Sequence, residues 1–199
     1  MGYHRAGFDV VGVDNRPMPR YPFEFHQADA LEYLRENGRE FDAIHASPPC
    51  QAYSVATKRA GTSHRHPDMV DEVRQVLRGI GKPWVIENVP GSPLQQDLVL
   101  CGSMFGLEVR RHRIFETEPC LWTLVQPCDH SGRIYSVFGH GSGNKNRSDH
   151  GSVADWKRAM GIDWMIREEL IQAIPPAYCE YIGRRLIERL RETRTREGT

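Results

Sequence analysis

At 199 residues the chain suits one α/β domain, because that length buries a large share of its surface and seldom supports two full cores. Hydrophobic residues make up 39% and charged residues 26%, and no apolar run approaches bilayer length, so a membrane-spanning segment is not expected. The 26 basic and 26 acidic side chains cancel, so no global basic field marks a nucleic-acid partner and any such contact must come from local patches.

The cations are 22 Arg against 4 Lys, a bias that suits bidentate phosphate contacts or reflects genome composition. Five cysteines, an odd number in a chain whose first residues carry no apolar signal core, argue for reduced thiols rather than a disulfide framework. A cytoplasmic setting follows as an expectation, and one of the thiols is available as a nucleophile.

In chain order, the β-rich run Phe8 to Val13 predicts a strand ending at Asp14. Ala28 to Asn37 then places Leu31 and Leu34 at helical spacing after a capping Asp29. Phe41 to Ala46 predicts a second strand that stops at Ser47-Pro48-Pro49, because proline removes ladder donors, and Cys50 falls just beyond it. Thr57 to His66 is basic and glycine-containing and reads as a mobile loop able to close on phosphates, or as a plain solvated loop. From Pro67, Met69, Val73, Val76, Leu77 and Ile80 share a helical face, with Gly79 and Gly81 as the stop before a strand over Trp84 to Val89. This β-α-β alternation predicts a parallel sheet covered by helices. Leu98 to Cys101, Arg113 to Glu116 and Arg133 to Phe138 predict further strands, and Gly139 to Gly151 a loop. Ser152 to Met160 and Arg167 to Ile174 predict short helices. Pro175-Pro176 opens a last helix with Tyr178, Ile182, Leu186 and Leu190 in the core, frayed after Arg191.

Ligands of open parallel sheets bind beyond the carboxyl ends of the strands, where Asp14, Ser47 to Gln51 and Glu87 to Val89 should converge. An acid closing a strand can take the ribose hydroxyls of a nucleoside cofactor, which makes Asp14 a candidate, with Asp29 in reach of the base. Each is equally readable as a cap or turn residue.

The segments SPPCQAYS (Ser47 to Ser54), ENVP (Glu87 to Pro90) and RHRIF (Arg111 to Phe115), in this order, resemble the DNA cytosine-5 methyltransferases. LCGSMFG (Leu100 to Gly106) and QAIPPAYCEYIG (Gln172 to Gly183) extend the likeness along most of the chain. The resemblance implies a Rossmann-like S-adenosylmethionine-dependent methyltransferase fold acting on double-stranded DNA. Cys50 would be the nucleophile, Glu87 the acid that reads the pyrimidine, Arg113 the orienter of Glu87, and Arg111 a second support. It further implies cofactor contacts at Asp14, Asp29, Pro48 and Gln172, and nucleic-acid contacts at Gln51, Ser54, Lys58, Arg59 and Arg65. The chemistry needs these types: carbon-5 of cytosine is a poor nucleophile until a thiolate adds at carbon-6, and a desolvated acid can stabilise the charge pushed onto the ring.

The chain departs from that pattern in three places. The family's opening strand and glycine-rich turn, Asp-Leu-Phe-x-Gly-x-Gly-Gly, has no counterpart before Met1, from which we expect a start set late within a longer frame. The stretch Tyr135 to Gly143 is a poor substitute, because no acidic strand end follows it. Val109 stands at the family's first Gln of Gln-x-Arg-x-Arg, and Gln172-Ala173 replaces Asn-Ala or Asn-Ser. The expected organisation is a catalytic core over 1–117, a very small target-recognition insert over 118–160, and C-terminal helices over 161–199 in a monomer. Cys120, Cys128 and His130 lie near one another without a fourth ligand at motif spacing, so no metal is expected. The expected activity is DNA cytosine-5 methylation, in the manner of a phage or restriction-modification enzyme. The alternatives are a catalytically degenerate DNA-binding homologue and an RNA cytosine-5 methyltransferase.

Overall fold

A computed structural model describes residues 1–59, 61–121, 125–137 and 151–197. The chain begins with α1 (Gly2–Ala6), β1 (Val11–Asp14), β2 (Glu24–Gln27), α2 (Ala30–Asn37) and β3 (Ile44–Ala46). It continues through α3 (Val55–Arg59), α4 (Val70–Ile80), β4 (Trp84–Asn88), β5 (Leu98–Leu100) and β6 (Arg113–Glu118), and finishes with α5 (Val153–Met160), α6 (Arg167–Leu170) and α7 (Pro176–Glu197).

The strands form two sheets that share no ladder. β1 and β2 pair in parallel on their own, and the second sheet runs β3-β4-β6-β5. Within it β3 and β4 are parallel, whereas β6 is antiparallel to both β4 and β5. The fold is therefore mixed α/β: the parallel elements expected from the β-α-β alternation are present at β1–β2 and β3–β4, and only the antiparallel β6 departs from an all-parallel sheet. The crossover from β3 to β4 through α3 and α4 makes that pair parallel, and the connection over residues 15–23, which contains no helix, does the same for β1 and β2. The short connection from β5 to β6, with only a 3-10 turn over Gly102–Phe105, returns the chain antiparallel.

Side-chain alternation explains the layers. Trp84, Ile86 and Ile114 face a core with Leu31, Val70, Val73 and Leu77. Val85 and Phe115 face the opposite core with Tyr178, Ile182 and Leu186. β4 is buried along its whole length, as a strand covered on both faces requires. Helix α4 ends at Gly81, whose φ of 74° lies in the left-handed region. Helices α1 and α7 touch at their backbones: a Cβ on Gly2 would come within 2.2 Å of the Pro176 carbonyl oxygen. Near the base of β6, Arg74 donates to both carboxylate oxygens of buried Glu116, at 2.7 and 2.8 Å, and so fastens α4 to the sheet.

Several elements differ from expectation. β2 and α1 were not foreseen. Val55–Arg59 is helical, and Ser63–Arg65 makes a 3-10 turn where a loop was expected. Residues 133–137 form no strand, and Phe138, with the expected loop through His150, lies outside the described residues. Helix α6 closes at Leu170, well before Ile174, and α7 continues to Glu197 rather than fraying after Arg191.

Candidate active site

Cys50 sits one turn beyond β3, half-buried, with its carbonyl accepting from the Tyr53 and Ser54 amides at 3.0 Å each. Pro48 and Pro49 hold the preceding backbone extended, and the buried Asn88 side chain donates to the Pro48 carbonyl at 3.0 Å. The thiol loop is thereby tied to the end of β4, one residue past Glu87.

Glu87 is 7% exposed, and its Oε1 lies 2.8 Å from the Arg113 Nε across the β4–β6 ladder. That contact has the distance of an ion pair without a hydrogen bond's alignment, so the buried Oε1 has no directed donor. Burial pushes the carboxyl above the ordinary glutamate range, against the opposing pull of Arg113, Ser47 and Arg111. A carboxyl held in this way takes up a proton more readily than an exposed glutamate, and its Oε1 offers an unsatisfied acceptor to an incoming donor.

Arg111 takes the only positive φ among the described non-glycine residues, 29°. The strained backbone is held by the Arg111 guanidinium, which donates to the carbonyls of Val137 at 2.7 Å and Ile171 at 2.6 Å, and by the Tyr178 hydroxyl, which donates to the Arg111 carbonyl. Burial first, then the Arg113 charge, bring the guanidinium down to about 9, opposed by Glu87, Tyr178 and Cys50. Cys50, Glu87 and Arg113 all act on the Arg111 charge, so one thiol, one acid and two guanidinium groups stand near one another at these strand ends.

A polar chain backs this cluster. The ring of His45 on β3 joins the Tyr3 hydroxyl at 2.7 Å and the Ser47 hydroxyl at 3.0 Å, and Ser47 in turn stands close enough to Glu87 to pull its pKa downward. Burial lowers His45 to about 4, so its ring is neutral. Sequence reasoning missed Tyr3, His45 and Asn88 as supports. Only the Asn beside Glu87 in the ENVP motif hinted at them.

The other candidates fall in two groups. Gln51, Lys58, Arg59 and Arg65 are exposed, and the Lys58 ammonium lies over Gly91, just past β4. The three cations form no ion pair with a described residue. Ser54 uses its hydroxyl to cap α3 through the Thr57 amide and hydroxyl, so its side chain is committed to the helix. Asp14 and Asp29 sit together at the carboxyl ends of β1 and β2, where the Ala28 amide donates to the Asp14 carbonyl. One Asp14 oxygen accepts from the Arg16 amide and one Asp29 oxygen caps α2, which leaves the other oxygen of each carboxylate uncommitted to backbone. Gln172 is exposed one residue after the carbonyl that holds Arg111. No described contact links Asp14 or Asp29 to the Cys50 loop. Val109 is buried beneath Gly102, whose missing Cβ admits the Val109 carbonyl, so a core demand explains the apolar residue there.

The family described as C-5 cytosine-specific DNA methylase matches residues 21–96, which include the Cys50 loop and Glu87. Type II methyltransferase M.AquIA of Picosynechococcus sp. is 31% identical over 108 aligned residues, covering 46% of this chain and 44% of that protein. The chain thus spans less than half the length of this relative.

Proposed function

We propose, from the premise that this chain belongs to the C-5 cytosine-specific DNA methylases, that it methylates carbon-5 of a cytosine flipped out of double-stranded DNA, through a covalent Cys50 adduct. The single observation that carries this reading is the buried, donor-free Oε1 of Glu87 beside Arg113, at the strand end to which the Cys50 loop is tied.

A thiolate adds to carbon-6 of the ring, forming the carbon–sulfur bond and moving electron density onto carbon-5 and nitrogen-3. Protonated Glu87 donates to nitrogen-3, while its free oxygen accepts from the exocyclic amine, so the same group stabilises the charge and selects cytosine over thymine. Arg113 fixes the carboxyl, and Arg111 keeps positive charge near the sulfur. After carbon-5 has gained its methyl group, water acting as base takes the carbon-5 proton, the freed electron pair re-forms the carbon-5–carbon-6 double bond as the carbon–sulfur bond breaks to return the Cys50 thiolate, and nitrogen-3 gives its proton back to Glu87.

S-adenosylmethionine would supply an electrophilic methyl group. The residues present fit it: Asp14 closes a strand with one carboxylate oxygen uncommitted to backbone, as a ribose diol needs, and Asp29 lies beside it at the end of β2. Pro48 and Gln172 are the remaining proposed contacts, within a Rossmann-like arrangement of the strands. Extrusion of the base costs a few kcal/mol, and Lys58, Arg59, Arg65 and Gln51 would repay part of that on the phosphates. Residues 118–160 would form a small recognition insert, and the reduced thiol suits the cytoplasm.

Transfer of labelled methyl groups to cytosine-containing duplex tests this. Cys50→Ser should abolish transfer while leaving the fold intact by circular dichroism. Glu87→Gln should lower kcat by about 100-fold or more, since it removes a charge-stabilising proton donor, with DNA affinity changed far less. Activity retained in Cys50→Ser would sink the assignment.

A further inference from the structure

We infer that Cys101, His112, Cys128 and His130 form a structural zinc site, distinct from the methyl-transfer centre. The four side chains come from three places. Cys101 follows β5, His112 immediately precedes β6, and Cys128 and His130 belong to the segment 125–137, which has no regular structure. Their ligand atoms all lie within 4.8 Å of one another. The Cys101 sulfur is 3.3 Å from the His130 Nε2, and the Cys128 sulfur is 3.6 Å from the His112 Nε2. An ion held tetrahedrally at ordinary zinc–sulfur and zinc–nitrogen lengths separates a sulfur from a nitrogen by about 3.6 Å, so these spacings are those of a coordination shell.

The donor set narrows the metal. Two thiolates and two imidazoles with no carboxylate favour zinc over magnesium, calcium or manganese, and four protein ligands close the shell as in structural rather than catalytic sites. The surroundings suit a thiolate: the Ser103 hydroxyl lies 3.3 Å from the Cys101 sulfur, so it can donate to a ligand that is itself 1% exposed. Two isolated thiol–imidazole hydrogen bonds would give no reason for both pairs to nest in one cluster. The benefit to the fold is concrete. Residues 125–137 have neither strand nor helix to bind them, and one ion would staple them to the rim of the β5–β6 pair, beside Arg111 and Arg113.

Cys120 is not part of the cluster. The fourth ligand absent from the local Cys128 and His130 spacing is provided, together with a third, by Cys101 and His112, far apart in sequence.

The experiment is metal analysis of the purified full-length protein under reducing conditions. We expect one zinc per chain by plasma mass spectrometry. After chelation, titration with cobalt(II) should give the intense visible bands of a tetrahedral site and a thiolate charge-transfer band. Cys128→Ser, at an exposed position that folding tolerates, and His130→Ala should each weaken cobalt binding by about tenfold or more, while Cys120→Ser should bind as the wild type. The inference is overturned if zinc titration leaves only trace metal, if the cobalt spectrum is octahedral, if Cys120→Ser loses as much affinity as Cys128→Ser, or if Cys101 and Cys128 are found joined as a disulfide. None of these readouts requires methyl transfer, so they stand or fall apart from the proposed activity.

Discussion

Glu87 holds its unusual state because its neighbours are themselves held. Its strand carries it into a core, Arg113 meets it from the adjacent strand, and Ser47 reaches it from the thiol loop, with His45 and Tyr3 behind. Only a neutral His45 ring can serve in that chain without adding a third cation to the two arginines. Its folded pKa, lowered to about 4 by burial, lies below the ordinary value of 6.5. The unfolded chain therefore binds a proton first as pH falls. The stability contribution of neutral His45 is complete above about pH 6.5 and is lost as pH drops toward about 4. Denaturant midpoints measured at pH 7 and pH 5 should fall more steeply for the wild type than for His45→Gln, which keeps a donor and an acceptor but does not titrate. Equal slopes would show that the ring titrates as it does in the unfolded chain.

At the level of elements, α3 places its last turn and the following 3-10 turn so that Lys58, Arg59 and Arg65 stay exposed and free of described carboxylate partners, next to the Cys50 loop. If they sit on phosphates, each should release about one counterion on binding. The triple change to Ala should therefore reduce the slope of log affinity against log salt by about 3, with sequence preference unchanged. An unchanged slope would return the segment to a solvated surface role. That segment also marks what could be read in advance. Helix α4 and strand β4 were legible because apolar residues recur at one period over many positions: Met69, Val73, Val76, Leu77 and Ile80 in one, and an unbroken apolar run into Glu87 in the other. Helix α3 was not, since five residues capped by Ser54 carry too short a period to distinguish helix from loop. The polar run Glu24–Gln27 is a strand only because β1 pairs with it. The thiol, the acid and the two arginines were legible as a motif. The Cys101–His112–Cys128–His130 cluster was not, because its members meet only when β5, β6 and an irregular segment are folded together.

For the whole molecule, the division into two sheets sets unequal stability. The four-stranded sheet is covered on both faces by α4 and α7 and fastened by the Arg74–Glu116 pair, with β4 buried throughout. β1 and β2 are four residues each, with no residue of β1 fully buried, and a two-stranded ladder without a third partner is marginal. Asp14 and Asp29, the proposed cofactor contacts, lie at the ends of that weaker pair, while the thiol and Glu87 stand on the firmer sheet. Backbone hydrogen exchange read by mass spectrometry should show residues 11–14 and 24–27 exchanging roughly 100-fold faster than 84–88, because the former open locally and the latter only with the global core. Adding S-adenosylmethionine should slow exchange at the first two segments more than at the third, since binding energy is spent on ordering the part that was loose. Uniform protection across all three segments, unchanged by the cofactor, would mean that the two sheets open as one unit and that the β1–β2 ends take no part in binding.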